Sequence, residues 1–244
     1  MKTLINSILT FRQVIFTAWL YLFVIISSAI SVTLYFLKAP LFIRVWTIYF
    51  WSLALRVGIF CFLWIRVKVE GKENIPKEPC VYVCKHQSHL ETLFLPSLLP
   101  RCVFVLKQEL LSIPIFGKGV QATECIAIDR SKGLKALKDV VTQGKDRLAK
   151  RISVIIFPEG TRTKPKQHPT FHKSGLMLAK QSGHKVVFIA LNTGSLMSMD
   201  KKLIRPGTVT LVISKPVTTT NYNLNELTEY SHEWIKEQME RIEK

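Results

Sequence analysis

"PCVYVCKHQSHLET", residues 79–92, is the stretch from which the fold class can be read. Val81 to Cys84 form a short apolar, β-branched run that stops abruptly at a polar cluster, the mark of a buried strand. Ser88 then stands where it can cap a helix beginning near His89. A strand that feeds a loop and then a helix is the repeating step of an α/β fold. The same stretch holds His86 and Glu91. On a continuous helix, residues five apart lie about 140° from each other and cannot meet. They face each other only with His86 in the loop and Glu91 in the first helical turn. In that arrangement the carboxylate accepts a hydrogen bond from one imidazole nitrogen and leaves the other free to take a proton from a hydroxyl. A substrate that brings its own hydroxyl makes a serine or cysteine nucleophile unnecessary. A metal site built from Cys80, Cys84, His86 and His89 is the competing reading. It is disfavoured because all four fall within ten residues, whereas zinc ligands pair through short knuckles separated by a loop of about a dozen residues. No metal is expected.

The strand–helix step recurs along the chain. "IRVKVEG" (65–71), "RCVFVLK" (101–107), "ATECIAIDR" (122–130), "SVIIFPEGTR" (153–162), "KVVFIAL" (185–191) and "VTLVIS" (209–214) read as strands. Between them, Leu134, Leu137, Val141 and Leu148 recur at helical intervals, and "SGLMLAKQSG" (174–183) is a short helix. The C-terminal stretch 223–243 is amphipathic and opens with Asn223 and Glu226 in capping-box spacing. The expected fold is α/β: a mixed, mostly parallel sheet flanked by helices over residues 66–244, preceded by an N-terminal two-helix membrane-associated segment over residues 1–65. No glycine-rich dinucleotide fingerprint and no internal repeat interrupts it.

The N-terminal segment differs in kind. Residues 14–37 hold 24 uncharged positions, more than the ~20 a bilayer-crossing helix needs. The run is too long for a signal-peptide core, so removal is not expected. After Pro40, residues 45–64 form a second apolar segment, rich in Trp and Tyr and interrupted by Arg56. Aromatic rings and a snorkelling guanidinium suit the headgroup region. The two segments read either as a spanning pair or as a hairpin inserted in one leaflet, with a buried soluble hairpin as the third possibility. Lys2 and Arg12 on one flank nearly cancel Lys38 and Arg44 on the other as orientation signals.

The chain carries 34 Lys+Arg against 17 Asp+Glu, and every acid lies beyond residue 65. A net charge of +17 points to an anionic partner. A mean hydropathy of +0.21 favours a membrane-attached protein over a nucleic-acid binder, and no nucleic-acid reader motif is present. The five cysteines sit in or beside apolar runs, which suits reduced, mostly buried thiols.

Three strands end in a polar group suited to chemistry: His86, Arg130 and Arg162. In open α/β sheets ligands bind beyond the carboxyl ends of the strands. "FPEGTR" (157–162) turns sharply at Pro158 and Gly160. Its exposed amides, the Thr161 hydroxyl and the Arg162 fork make a phosphate cradle. Lys107, also at a strand end, can reach the same anion. The plainer reading of Glu159 is a turn carboxylate paired with a nearby lysine.

Together these residues resemble the glycerophospholipid acyltransferase family, most closely the bacterial 1-acylglycerol-3-phosphate acyltransferases. "KHQSHLE" matches the family's block with a histidine and an acid separated by four residues. "IAIDR" matches the end of its second block, and "FPEGTR" matches its third without change. "VVFIAL" meets the fourth only loosely, for it lacks the proline. The lysine-x-Glu-Leu segment ending in Ile-Pro-x-Phe-Gly is also present, and the resemblance covers about residues 66–216.

The resemblance implies transfer of a fatty acyl group from an acyl carrier protein or coenzyme A thioester to the sn-2 hydroxyl of a lysophospholipid. It implies His86 as general base and Glu91 as its orienting acid. Lys107, Arg130, Glu159, Gly160, Thr161 and Arg162 become the substrate-binding set, and His89 is left as a bystander lining the pocket. It implies no cofactor, a site at the inner (cytoplasmic) membrane, and a catalytic domain facing the cytoplasm. Two departures stand out: Lys85 replaces the usual Asn, and Glu91 the usual Asp. They leave open another lysophospholipid as acceptor, or a silent lipid-binding protein.

Overall fold

The computed structural model describes residues 2–197 and 203–243. Seven strands form one sheet: β1 (Ile65–Glu70), β2 (Val81–Cys84), β3 (Cys102–Lys107), β4 (Ile126–Ile128), β5 (Ser153–Ile156), β6 (Val186–Leu191) and β7 (Gly207–Ile213). Their order is β1-β7-β6-β2-β5-β3-β4. The five strands from β6 to β4 in that order run parallel, whereas β7 is antiparallel to β6 and carries β1 parallel to itself. Every residue of β2, β5 and β6 is buried, which is why these segments read as unbroken apolar runs: a parallel sheet is covered on both faces.

Alternation along each strand divides the core in two. Val81 and Val83 point with Val103, Val154 and Phe188 towards α5 (Leu134–Ala149), α6 (Ser174–Ser182) and α7 (Leu224–Ile242). Cys80, Tyr82 and Cys84 point the other way, onto Ile59, Leu63, Leu90 and Phe94. Of the cysteines, Cys80, Cys84 and Cys102 are buried, whereas Cys61 is exposed, contrary to the burial expected from its apolar setting.

Two long helices precede the sheet. α1 (Lys2–Phe36) begins well before the uncharged run and takes in Arg12. Pro40 precedes α2 (Leu41–Leu63). The pair packs closely because Gly58 leaves room for the Trp19 indole, where a Cβ would come within 2.6 Å of the ring. Trp19 Nε1 donates to Ala54 O at 3.0 Å, and the Ser31 and Thr47 hydroxyls meet at 2.6 Å. Both helices are long and apolar enough to cross a membrane.

α2, however, lies along the α/β body. Leu41, Val45, Ser52, Leu55, Ile59 and Leu63 form its buried stripe, and Ser52 Oγ donates to Leu93 O while accepting from Ser97 N. Its opposite stripe, with Phe42, Ile43, Phe50, Val57 and Phe60, is exposed. Arg44, read from sequence as a flanking charge, is buried and bonded to Ala39 O, Ala122 O and Glu124 Oε1. Arg12 is likewise buried, over the Trp64 ring. Neither is a free topology signal.

The segment 90–97 differs from the helix expected there. α3 (Leu90–Phe94) is one short turn that tightens into a 3-10 turn over Leu95–Ser97, because Pro96 has no amide to continue an α-helix. A second short helix, α4 (Phe116–Ala122), follows Ile113, Pro114 and Ile115 and packs on α1. Ile113 and Ile115 stay exposed.

Candidate active site

The chain leaves β2 for β3, beyond β5, and leaves β5 for β6, beyond β2. The two connections pass each other, and the carboxyl ends of the parallel neighbours β2 and β5 lie side by side, the usual end for a ligand in an open α/β sheet. His86 follows β2 at this end of the sheet. Its ring lies flat on Phe157, the first residue after β5, with centroids 4.0 Å apart and planes inclined by 18°. Nδ1 is 2.8 Å from Glu91 Oε1. Glu91 sits in the first turn of α3, so residues five apart meet across a loop–helix junction.

The Glu91 carboxylate is fully buried and fully bonded. Oε1 also accepts from the amides of Gln87 at 2.6 Å and Ser88 at 2.7 Å. Oε2 accepts from Ser88 Oγ and Thr193 Oγ1, each at 2.7 Å. Burial pushes this carboxyl up, but the bonds from His86 and Ser88 outweigh it and hold it below the usual carboxylate range. An ionised Glu91 can only accept, so Nδ1 donates and Nε2 carries the lone pair. The longer side chain at this position is thus accommodated, both oxygens being met. Ser88 does not take the N-cap position itself. His89 does, and the Ser88 hydroxyl accepts instead from Leu90 N at 3.0 Å.

The turn after β5 wraps over His86. Gly160 N donates to Phe157 O at 3.1 Å, and Gly160 has φ +70°, a conformation that favours glycine. A Cβ there would meet the His172 ring at 3.0 Å and lie 3.8 Å from Arg130 Nη1. That proximity brings Arg130, from the end of β4, to the turn. Thr163 closes the loop by donating its amide at 2.9 Å and its hydroxyl at 3.0 Å to His86 O.

Thr161 is exposed and Arg162 half-buried at the rim. Arg162 Nη1 contacts His89 Nε2. Partial burial first, and then Arg162, hold the His89 imidazole below its usual range. His89, read from sequence as lining the pocket, thus touches a residue of the substrate-binding set. Lys107 stands exposed at the end of β3.

Glu159, the remaining member of the substrate-binding set, lies beneath the turn. Its side chain is 0% exposed, paired at 3.1 Å with an equally buried Lys85. It also accepts from His86 N at 3.3 Å. It holds the turn from beneath, and the nearby lysine of the plainer reading is the residue next to the histidine.

Several supporting residues gave no sequence signal. Thr193 follows β6 and reaches Glu91 across 102 positions. Gln87 bridges Gly194 N and Glu243 Oε1, and Glu243 Oε2 accepts from Lys166 N at 2.8 Å. Asn192 Nδ2 donates to Ile242 O at 2.8 Å. The end of α7 thereby ties together the loops after β2, β5 and β6. Among the described residues no group of His, Cys, Asp and Glu is arranged to hold a metal.

Residues 66–192, which include the dyad and the turn, match the Acyltransferase family. The chain belongs to this family. It is 39% identical over 181 residues to a 1-acyl-sn-glycerol-3-phosphate acyltransferase of Pseudomonas aeruginosa, covering 73% of this chain and 70% of that one. A Saccharomyces cerevisiae protein of the same name is 30% identical over 182 residues, 72% of this chain and 59% of the relative. One from Chlamydomonas reinhardtii is 37% identical over 166 residues, of whose length the match spans 49%. The crystal structure of the 1-acyl-sn-glycerophosphate (LPA) acyltransferase of Thermotoga maritima superposes with a TM-score of 0.81. It covers 100% of this chain and 98% of its own at 24% identity, and so shows the shared fold.

Proposed function

We propose that this acyltransferase moves a fatty acyl group from a thioester to the sn-2 hydroxyl of 1-acylglycerol-3-phosphate, giving phosphatidic acid. The observation that carries this reading is a histidine whose Nδ1 is committed to a buried, ionised Glu91 and whose carbonyl is tied by Thr163 to a turn that bears Arg162 and has Arg130 beside Gly160. His86 Nε2 removes the proton of the acceptor hydroxyl as its oxygen attacks the thioester carbonyl. Glu91 stabilises the imidazolium. The C–S bond breaks, and the departing thiolate takes the proton from Nε2, returning His86 to its starting state. No acyl-enzyme and no cofactor enters this cycle. Arg162 and Arg130, with Lys107, Thr161 and the Gly160 backbone, bind the acceptor phosphate. A coenzyme A or acyl carrier protein thioester supplies the acyl group.

Residues 66–244 form the catalytic domain in this reading, and residues 1–65 attach it to the inner membrane with the site facing the cytoplasm. α2 keeps one stripe on the body from Leu41 to Leu63. Crossing the bilayer would drag that body in with it, so the hairpin enters one leaflet by its outer stripes, beside Ile113 and Ile115.

The test is an assay of purified protein with lysophosphatidic acid and labelled acyl thioester. Wild type forms phosphatidic acid, and His86→Ala loses about 10³-fold or more of turnover, the scale of losing the base in a dyad. Equal turnover in the two proteins, or no product from wild type, sinks the reading.

A further inference from the structure

We infer that Lys85 is a positioning residue, whose buried ammonium grips Glu159 and thereby sets the phosphate-binding turn against His86. Lys85 is 0% exposed. A lysine is almost never fully buried without a partner. Its Nζ lies 3.1 Å from Glu159 Oε1 and donates to Gln167 O at 2.8 Å. The same Glu159 oxygen accepts from the amide of His86 at 3.3 Å. Consecutive residues at the end of β2 therefore hold one carboxylate from two sides, and that carboxylate belongs to the turn bearing Gly160, Thr161 and Arg162. The other oxygen, Glu159 Oε2, is buried with no hydrogen-bond partner. The carboxylate is thus held through Oε1 alone.

A charge balance follows. The acceptor phosphate would bind close to Glu159, and an uncompensated carboxylate beneath the turn would repel it. The ammonium of Lys85 cancels that charge. Other titratable groups face the pair. Cys84 lies beside it, its thiol pushed well up by burial and further by Glu91 and Glu159. His168, from the loop after β5, is held low by burial and by Lys85. Burial pushes Glu159 itself up, and Lys85 only partly offsets this. Without Lys85, the carboxyl would be tolerated neutral and would strain the turn once ionised.

The experiment compares wild type, Lys85→Met, Glu159→Gln and the double variant. Methionine keeps much of the lysine stem and drops the charge. Expected for Lys85→Met is a loss of about tenfold or more in kcat/KM for the acceptor at pH 8, shrinking as pH falls and Glu159 protonates. The double variant has no charge to compensate, so it regains most of the loss and its pH profile flattens. A double variant no better than Lys85→Met, or a pH profile unchanged by the single substitution, overturns the inference. It rests on the acyltransfer reading only for this kinetic readout. Thermal unfolding of the same four proteins at pH 8 separates the two. The double variant recovers Tm lost by Lys85→Met if the charges are coupled, whatever the acceptor, and additive losses overturn the coupling.

Discussion

Glu91 is a carboxylate that tolerates full burial because five donors meet it: His86 Nδ1, two amides, and the hydroxyls of Ser88 and Thr193. Its protonation is linked to folding. A carboxyl held below its unfolded value contributes stability that is complete above the unfolded pKa and lost as pH falls through the folded one. Thr193→Val removes one donor from a buried anion and is expected to cost about 1–3 kcal/mol. It also lets the folded pKa rise, so the acid-unfolding midpoint moves to higher pH, as fluorescence during acid titration will show. An unmoved midpoint would mean that the Thr193 hydroxyl does not stabilise the anion. Glu91→Gln offers an amide NH2 to a site built of donors. Turnover falls by about 10²- to 10⁴-fold, the range for losing the orienting acid, with acceptor KM little altered. Steady-state kinetics over a range of acceptor concentrations reads the split.

At the scale of elements, the turn after β5 is the piece whose shape matters most. Gly160 adopts φ +70°, and its missing Cβ makes room for the His172 ring. In Gly160→Ala the left-handed backbone costs about 1–2 kcal/mol, and the methyl presses on His172 beside Arg130. Acceptor KM should rise more than kcat falls, and a variant with wild-type KM would remove the turn from the binding site. The histidine–acid spacing and the Pro-Gly turn are both local, so the sequence displayed them. Lys85 looked like a mere departure from the usual Asn, because its partner is Glu159, 74 positions away. His89 looked idle for the same reason, since Arg162 meets it only when β2 and β5 lie side by side.

At the scale of the whole molecule, α1 and α2 are neither a detached anchor nor a core hairpin. α2 buries Leu55 and Ile59 completely against the body, each contributing about 1.5–3 kcal/mol, and presents Phe42 and Phe50 outward. Replacing both phenylalanines by glutamate changes no buried contact. It should leave Tm within a few degrees while sharply reducing recovery with anionic liposomes in flotation. Undiminished flotation would place the membrane face elsewhere. The site is set at this scale too, since it exists only because β2 and β5, 69 positions apart at Cys84 and Ser153, pair in parallel and end side by side.

By itself the sequence determined the alternation of strands and helices, the apolar N-terminal pair, and the dyad and turn, because each is written in side chains within a few positions of one another. Only the tertiary structure decided what those pieces lean on. Thr193 beneath Glu91, Lys85 beneath the turn, Glu243 tying three loops, and the burial of Arg12 and Arg44 all join residues far apart in the chain. Such contacts leave no periodicity or spacing to read. Those around the site arise when a parallel sheet brings the carboxyl ends of separate strands to one edge, where buried Glu91 and Glu159 draw donors from other loops.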